Sequence, residues 1–279
     1  MTAKKYHAIL AARKTVMFRM KLSFSTLGCT EKSLAESLML AKAYGLDGIE
    51  VRGLSGTMDN ACIRELQPGC LAATKRLLDK SGIKPVVLGT SCKFHTAEMA
   101  EAAMEEGMNS IRIAQRLDIP YIRVFGNDLT DDREACIARV QDGIAKLCSF
   151  AGEHGVTVLL EVHGGFNTVE TLTPIARALN GEHFGLIWDI GHTHAPYGDD
   201  WELFYRAMRP YICHVHIKDK CGSALVLPGE GEIPISAIAR RMLEDGYDGF
   251  FSLEWERKWH PELPPLEDAL ERYVRLMKG

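Results

Sequence analysis

Apolar positions along the chain fall into two alternating patterns. From Lys21 onward, the short runs KLSFST, GIEVRG, KPVVLGT, YIRVFG, VTVLLEV, GLIWDI, ICHVHIK and FFSLEW are rich in β-branched and aliphatic residues and read as strands. Between them lie stretches of helical spacing. Ser33 and Glu36 are placed as a capping box and Gly45 as the residue after a helix end, which predicts a helix from Ser33 to about Tyr44. CLAATKRLLDKSG, a segment from about Glu98 to Leu117, and a segment carrying Ile137, Val140, Ile144 and Leu147 predict three more. TPIARALNG, DWELFYRAM, PISAIARRMLEDG and PLEDALERYVRLMKG complete the alternation. Strands separated by helices of about three turns imply a parallel sheet. Eight such units predict an α/β fold closed as a (β/α)8 TIM barrel rather than an open doubly wound sheet.

The length of 279 residues suits one such barrel, so residues 21–279 are expected to form a single domain and residues 1–20 an N-terminal extension. That leading segment is basic with a short apolar patch and lacks the apolar core and cleavage site of a secretory signal. No apolar stretch approaches the ~20 residues of a membrane span. A formal net charge of −4 and a pI near 6.2 give no general attraction to nucleic acid or anionic lipid. The eight cysteines include no CxxC pair and read as reduced thiols, so a cytoplasmic location is expected. No strand is followed by a GxGxxG or GxxxxGK loop, which argues against a nucleotide cofactor.

Four metal-ligating side chains recur at the ends of four successive predicted strands: Glu161 in VLLEVHGG, Asp189 in LIWDIGH, His216 in HVHIKD and Glu254 in FSLEWE. Catalytic groups in an eight-stranded barrel sit at these carboxyl ends. Any one of them, alone, is explained by solvation or by a local hydrogen bond. Converging carboxylates, however, need protons or a cation. Three oxygen donors and one imidazole suit Mn²⁺ first, with Mg²⁺, Co²⁺ or Zn²⁺ also served. Alternation along a strand turns His163 the same way as Glu161, and His214 and Lys218 the same way as His216.

The segments LLEVHGG, WDIGHTHA, HVHIKDK and FFSLEWE resemble the xylose isomerase-like TIM barrels, the sugar phosphate isomerase/epimerase group that also includes endonuclease IV. The resemblance runs from about Lys21 to the C-terminus. It implies a divalent metal held by Glu161, Asp189, His216 and Glu254. It also implies a substrate contact from His192, which completes D-x-x-H with Asp189. His163 and Lys218 line the same mouth and are candidates for holding hydroxyls or an oxyanion. Glu50, at a strand end where related barrels often carry a glutamate, is a candidate substrate contact or a partner of Arg52. His95 approaches from the rim.

The implied chemistry is a sugar or sugar phosphate isomerase or epimerase. The metal polarises a carbonyl, and Glu161 and Glu254 remove and return a proton through an enediolate. A lyase or dehydratase acting on a keto-inositol or 3-keto-glycoside uses the same enolate and is the alternative. An endonuclease IV-like phosphodiesterase fits poorly, because the extra His and Asp ligands expected of it are missing and the charge is acidic. The expected partner is a small sugar, with neither nucleic acid nor membrane, and the enzyme is compatible with a homo-oligomer.

Overall fold

Eight parallel strands close into a barrel in the computed structural model, which describes residues 19–130, 132–181 and 183–279. All of the expected N-terminal extension except Arg19 and Met20 lies outside the described residues. The barrel strands are β1 (Lys21–Ser25), β2 (Gly48–Val51), β3 (Lys84–Lys93), β4 (Tyr121–Phe125), β5 (Thr157–Glu161), β6 (Phe184–Asp189), β7 (Ile212–Ile217) and β10 (Phe250–Leu253). A short hairpin, β8 (Asp219–Cys221) with β9 (Ala224–Val226), stands outside it. Around the ring the order is β1-β10-β7-β6-β5-β4-β3-β2, so sequence neighbours are spatial neighbours throughout.

The helices are α1 (Leu34–Ala43), α2 (Leu71–Ser81), α3 (Ala97–Leu117), α4 (Arg133–Glu153), α5 (Val169–Ala178), α6 (Ile190–Tyr197), α7 (Trp201–Met208), α8 (Ile235–Glu244) and α9 (Leu266–Lys278). The capping box forms as read: the Glu36 amide donates to Ser33 Oγ and the Ser33 amide donates to Glu36 Oε2 at 2.8 Å. Gly45 takes a φ of +61°, the left-handed turn that releases the chain from α1.

Two elements differ from the sequence reading. Helix α6 follows β6 directly, because Asp189 Oδ1 accepts the His192 amide at 3.0 Å and caps the first turn. The stretch after β7, for which the apolar pattern predicts no element, carries two short strands. It forms the β8–β9 hairpin, and the buried Asp219 carboxylate accepts the amides of Lys220, Gly229, Gly231 and Ile233.

The strands have two apolar faces. Outward residues such as Val158, Leu160, Leu186, Trp188, Val215 and Ile217 join the helices in one large core. Inward, Val86, Val87, Leu159 and Ile187 form a small separate plug. Beyond that plug, toward the carboxyl ends, the barrel interior becomes polar. Among the described residues, no helix is long and apolar enough to cross a membrane.

Candidate active site

Pairing in register carries the four strand-end residues to one place. Asp189 lies opposite His216, and Glu161 opposite Ile187 on the neighbouring strand. Glu254 follows β10, its amide donating to the Ile217 carbonyl at 2.9 Å. One donor atom from each of Glu161, Asp189, His216 and Glu254 lies within 4.8 Å of the others, and all four residues are buried. His216 Nδ1 faces three carboxylates, with Glu161 Oε1 at 3.3 Å, Glu254 Oε2 at 3.5 Å and Asp189 Oδ2 at 3.8 Å. It makes no hydrogen bond of good geometry, and neither does Asp189 Oδ2. Three buried carboxylates converging with an imidazole nitrogen that makes no hydrogen bond of good geometry fit a divalent cation.

Beneath this set lies Glu50, fully buried. It forms no ion pair with Arg52, and it is not among the residues lining the cavity. His216 Nε2 and His214 Nε2 both donate to Glu50 Oε2, at 2.9 and 3.1 Å. An ionised carboxylate only accepts, so Glu50 fixes the hydrogen on His216 Nε2 and leaves Nδ1 toward the ligand cluster. Burial alone would raise the Glu50 carboxyl, but His216 and His214 outweigh it and hold it well below the usual range.

Two cations interleave with the carboxylates. Arg123 on β4 donates to Glu161 Oε2 at 2.8 Å and lies 3.8 Å from Glu254 Oε1. Lys218 Nζ is 2.8 Å from Asp189 Oδ2, 2.6 Å from Glu254 Oε2, and also bonded to Glu256. Burial would raise the Glu161 carboxyl, yet Arg123 and His216 bring it down to about 2. Glu254 is held low against the same desolvation, chiefly by Lys218 and His216. Asp189 behaves oppositely, because burial raises it more than Lys218 lowers it. Burial opposes a charged imidazole at His216, but Glu254, Glu50 and Glu161 lift it well above its ordinary value. These same carboxylates would favour a divalent cation at this point, and a proton and a cation would compete for His216 Nδ1.

Above the cluster a cavity of about 310 Å³ opens between the strand ends, with Glu161, Glu254, His163 and Arg123 in its wall. The His163 and His192 rings lie 4.2 Å apart. Burial, Lys218 and His163 depress His192 to about 3, so it is neutral at physiological pH. His95 sits on the rim with its Nε2 3.2 Å from Asn127 Nδ2, and Asn127 is the residue that reaches the cavity. Trp188 and Trp255 are core residues, whereas Trp259 lines the mouth and is 57% exposed. Sequence reasoning missed Arg123, Arg52 and Glu256 as cavity residues. Alternation along β4 and after β2 and β10 gave their facing, but their partners come from other strands.

Comparison with known proteins agrees with this architecture. The inosose isomerase of Bacillus velezensis is 26% identical over 84% of this chain and 88% of that protein. The fructoselysine 3-epimerase of Escherichia coli O157:H7 is 25% identical over 92% of this chain and 98% of that protein. The crystal structure of the IolI protein with a binding zinc atom superposes with a TM-score of 0.76 at 24% identity, covering 92% of this chain and 96% of that one. The family model of the xylose isomerase-like TIM barrels matches residues 38–278, and the chain belongs to that family.

Proposed function

We propose that the protein is a divalent-metal-dependent isomerase or epimerase of a hydroxy-ketone sugar, working through an enediolate. The observation that supports this best is the pairing of Glu161 and Glu254. Both are buried, both line the cavity, and their strands β5 and β10 flank β6 and β7 from opposite ends of the ligand arc. The similarity to proteins named inosose isomerase and fructoselysine 3-epimerase supports the isomerase or epimerase part of this reading.

Glu161, Asp189, His216 and Glu254 would hold the metal, with Mn²⁺ the first candidate. When bound, it supplies polarisation of the substrate carbonyl and of the neighbouring hydroxyl. The chain's own groups do the remainder. Arg123 and Lys218 keep Glu161 and Glu254 ionised, so either can start as a proton acceptor. One carboxylate takes the proton from the carbon beside the carbonyl. In an isomerase the same carboxylate, now protonated, returns the proton to the adjacent carbon. In an epimerase the other, on the facing wall, takes up a proton from solvent and delivers it to the opposite face, and the first then releases its proton to solvent. His163 and neutral His192 offer imidazole nitrogens to substrate hydroxyls, and burial of the cluster excludes bulk water.

The test is deuterium wash-in. Mn²⁺- or Mg²⁺-loaded protein is incubated in D₂O with a panel of ketoses and keto-inositols, and label is located by NMR. Label at a carbon next to a carbonyl, with substrate or its epimer recovered, is the expected result. Loss of a β-substituent would move the assignment to a dehydratase. No exchange across the panel with metal bound would overturn the enediolate reading.

A further inference from the structure

The acidic half of the cavity is balanced by its own cations, but the other half is not. Arg52, just past β2, is 6% exposed and lies in the cavity wall with Ser91, Lys93 and Asn127. Its NH1 donates to the Met58 carbonyl and its NH2 to Ser91 Oγ, each at 3.0 Å. Among the described residues, neither Arg52 nor Lys93 has a carboxylate within ion-pair distance, whereas Arg123 and Lys218 both do. Burial, with Arg123 nearby, outweighs the opposing pull of Glu106, Glu161 and Glu254 and holds the Arg52 guanidinium down to about 10. A buried guanidinium beside a second cation is costly unless an anion meets it. Two of its five N–H groups have these protein partners, and the side chain lines the cavity. A metal ion in the ligand cluster would add to the local positive charge.

We propose that Arg52 and Lys93 form the subsite for an anionic substituent, a carboxylate or a phosphate, carried by the substrate at the end remote from its reacting carbonyl. This deepens the enediolate reading and rests on it only for where the carbonyl sits. The cavity is at the small end of ligand sites, which limits the substrate to one short carbon skeleton. A planar fork suits carboxylate and phosphate oxygens alike. The subsite selects charge, and Lys93 on the half-buried rim would draw the anion in.

Three ketoses matched in length separate the sources: D-fructose, D-fructuronate and D-fructose 6-phosphate. Affinities are measured by titration calorimetry on Mg²⁺-loaded and on EDTA-treated protein. At least one anionic sugar should bind about ten-fold or more tighter than fructose in both forms, and less so at high salt. A preference for fructuronate identifies a carboxylate, and a preference for the phosphate ester a phosphate. Arg52→Met should bring the ratio near one, and Lys93→Gln should lower it by a smaller factor without touching the buried wall. Equal affinities, no binding by any of the three, or a ratio unchanged in both variants would overturn the proposal. Wash-in is read separately, so an anion preference without exchange sinks only the enediolate, and exchange without the preference sinks only the subsite.

Discussion

Leu159, Leu160 and Glu161 are consecutive residues of β5, yet they serve three different regions. Leu160 faces the helices and joins the large outer core, Leu159 belongs to the small inner plug, and Glu161 faces the ligand cluster. Strand β6 repeats the pattern with Ile187 in the plug, Trp188 in the outer core and Asp189 in the cluster. The outer face thus holds most of the apolar contact, while the inner face is given over largely to charge. Serine, histidine, arginine and glutamate fill positions inside this barrel that could have been packed with aliphatic side chains. Buried ion clusters contribute little net stability, so their placement is explained by chemistry, with stability supplied from the outer face.

The sharpest way to separate the two faces is to damage each alone. Glu254→Gln keeps size and removes the proton acceptor, so wash-in should fall by about 10³-fold, with ligand affinity by calorimetry changed less than about three-fold. Rates near wild type would remove Glu254 from proton transfer. Leu160→Ala should do the reverse. It should cost about 2–5 kcal/mol in urea unfolding and leave the exchange rate per folded molecule near wild type at low temperature. A variant of Leu160 that unfolds normally but loses exchange would show that the two faces are not separable.

The same alternation explains how much could be read from the chain. Strands, their order and the convergence of Glu161, Asp189, His216 and Glu254 at the strand ends were legible because each depends on local periodicity and on where a run of apolar residues stops. Helix α6 was not, since IGHTHAPY has no apolar stripe and its start is set by Asp189, a residue already read as a ligand. The β8–β9 hairpin depends on Asp219 gathering amides from as far as Ile233, which no pattern announces. Glu50 meets His216 across 166 residues of sequence, and Arg123 meets Glu161 across 38. Those contacts follow from ring closure, so the residues were visible but their partners were not.

Glu50 connects the two regions, being an inner-face residue that reaches the cluster by its hydrogen bond to His216. Glu50→Gln retains an acceptor oxygen but removes the charge that fixes the imidazole hydrogens. Metal affinity by competition titration should drop about 10–100-fold, with turnover recovered at saturating metal. Turnover that stays low at saturating metal would assign Glu50 a more direct part in the reaction.

The smallest expected effect lies in the acid stability of the metal-free protein, and its sign follows from the site. His192 is depressed from 6.5 to about 3 and Glu161 from 4.5 to about 2, so the unfolded chain binds more protons than the folded one at those pH values. Stability due to His192 is therefore complete above pH 6.5 and lost as pH falls toward 3, and that due to Glu161 is lost between 4.5 and 2. His216 is shifted the other way: its contribution is present below pH 6.5 and lost as pH rises through its raised folded value. Urea midpoints in EDTA should accordingly fall between pH 7 and pH 5 for the wild type. His192→Gln should remove about 1 kcal/mol of that fall, a figure discounted for the partial exposure of the ring. An equal fall in both proteins would mean that His192 is protonated without penalty in the folded state, and would shift the acid sensitivity of the cluster to its carboxylates.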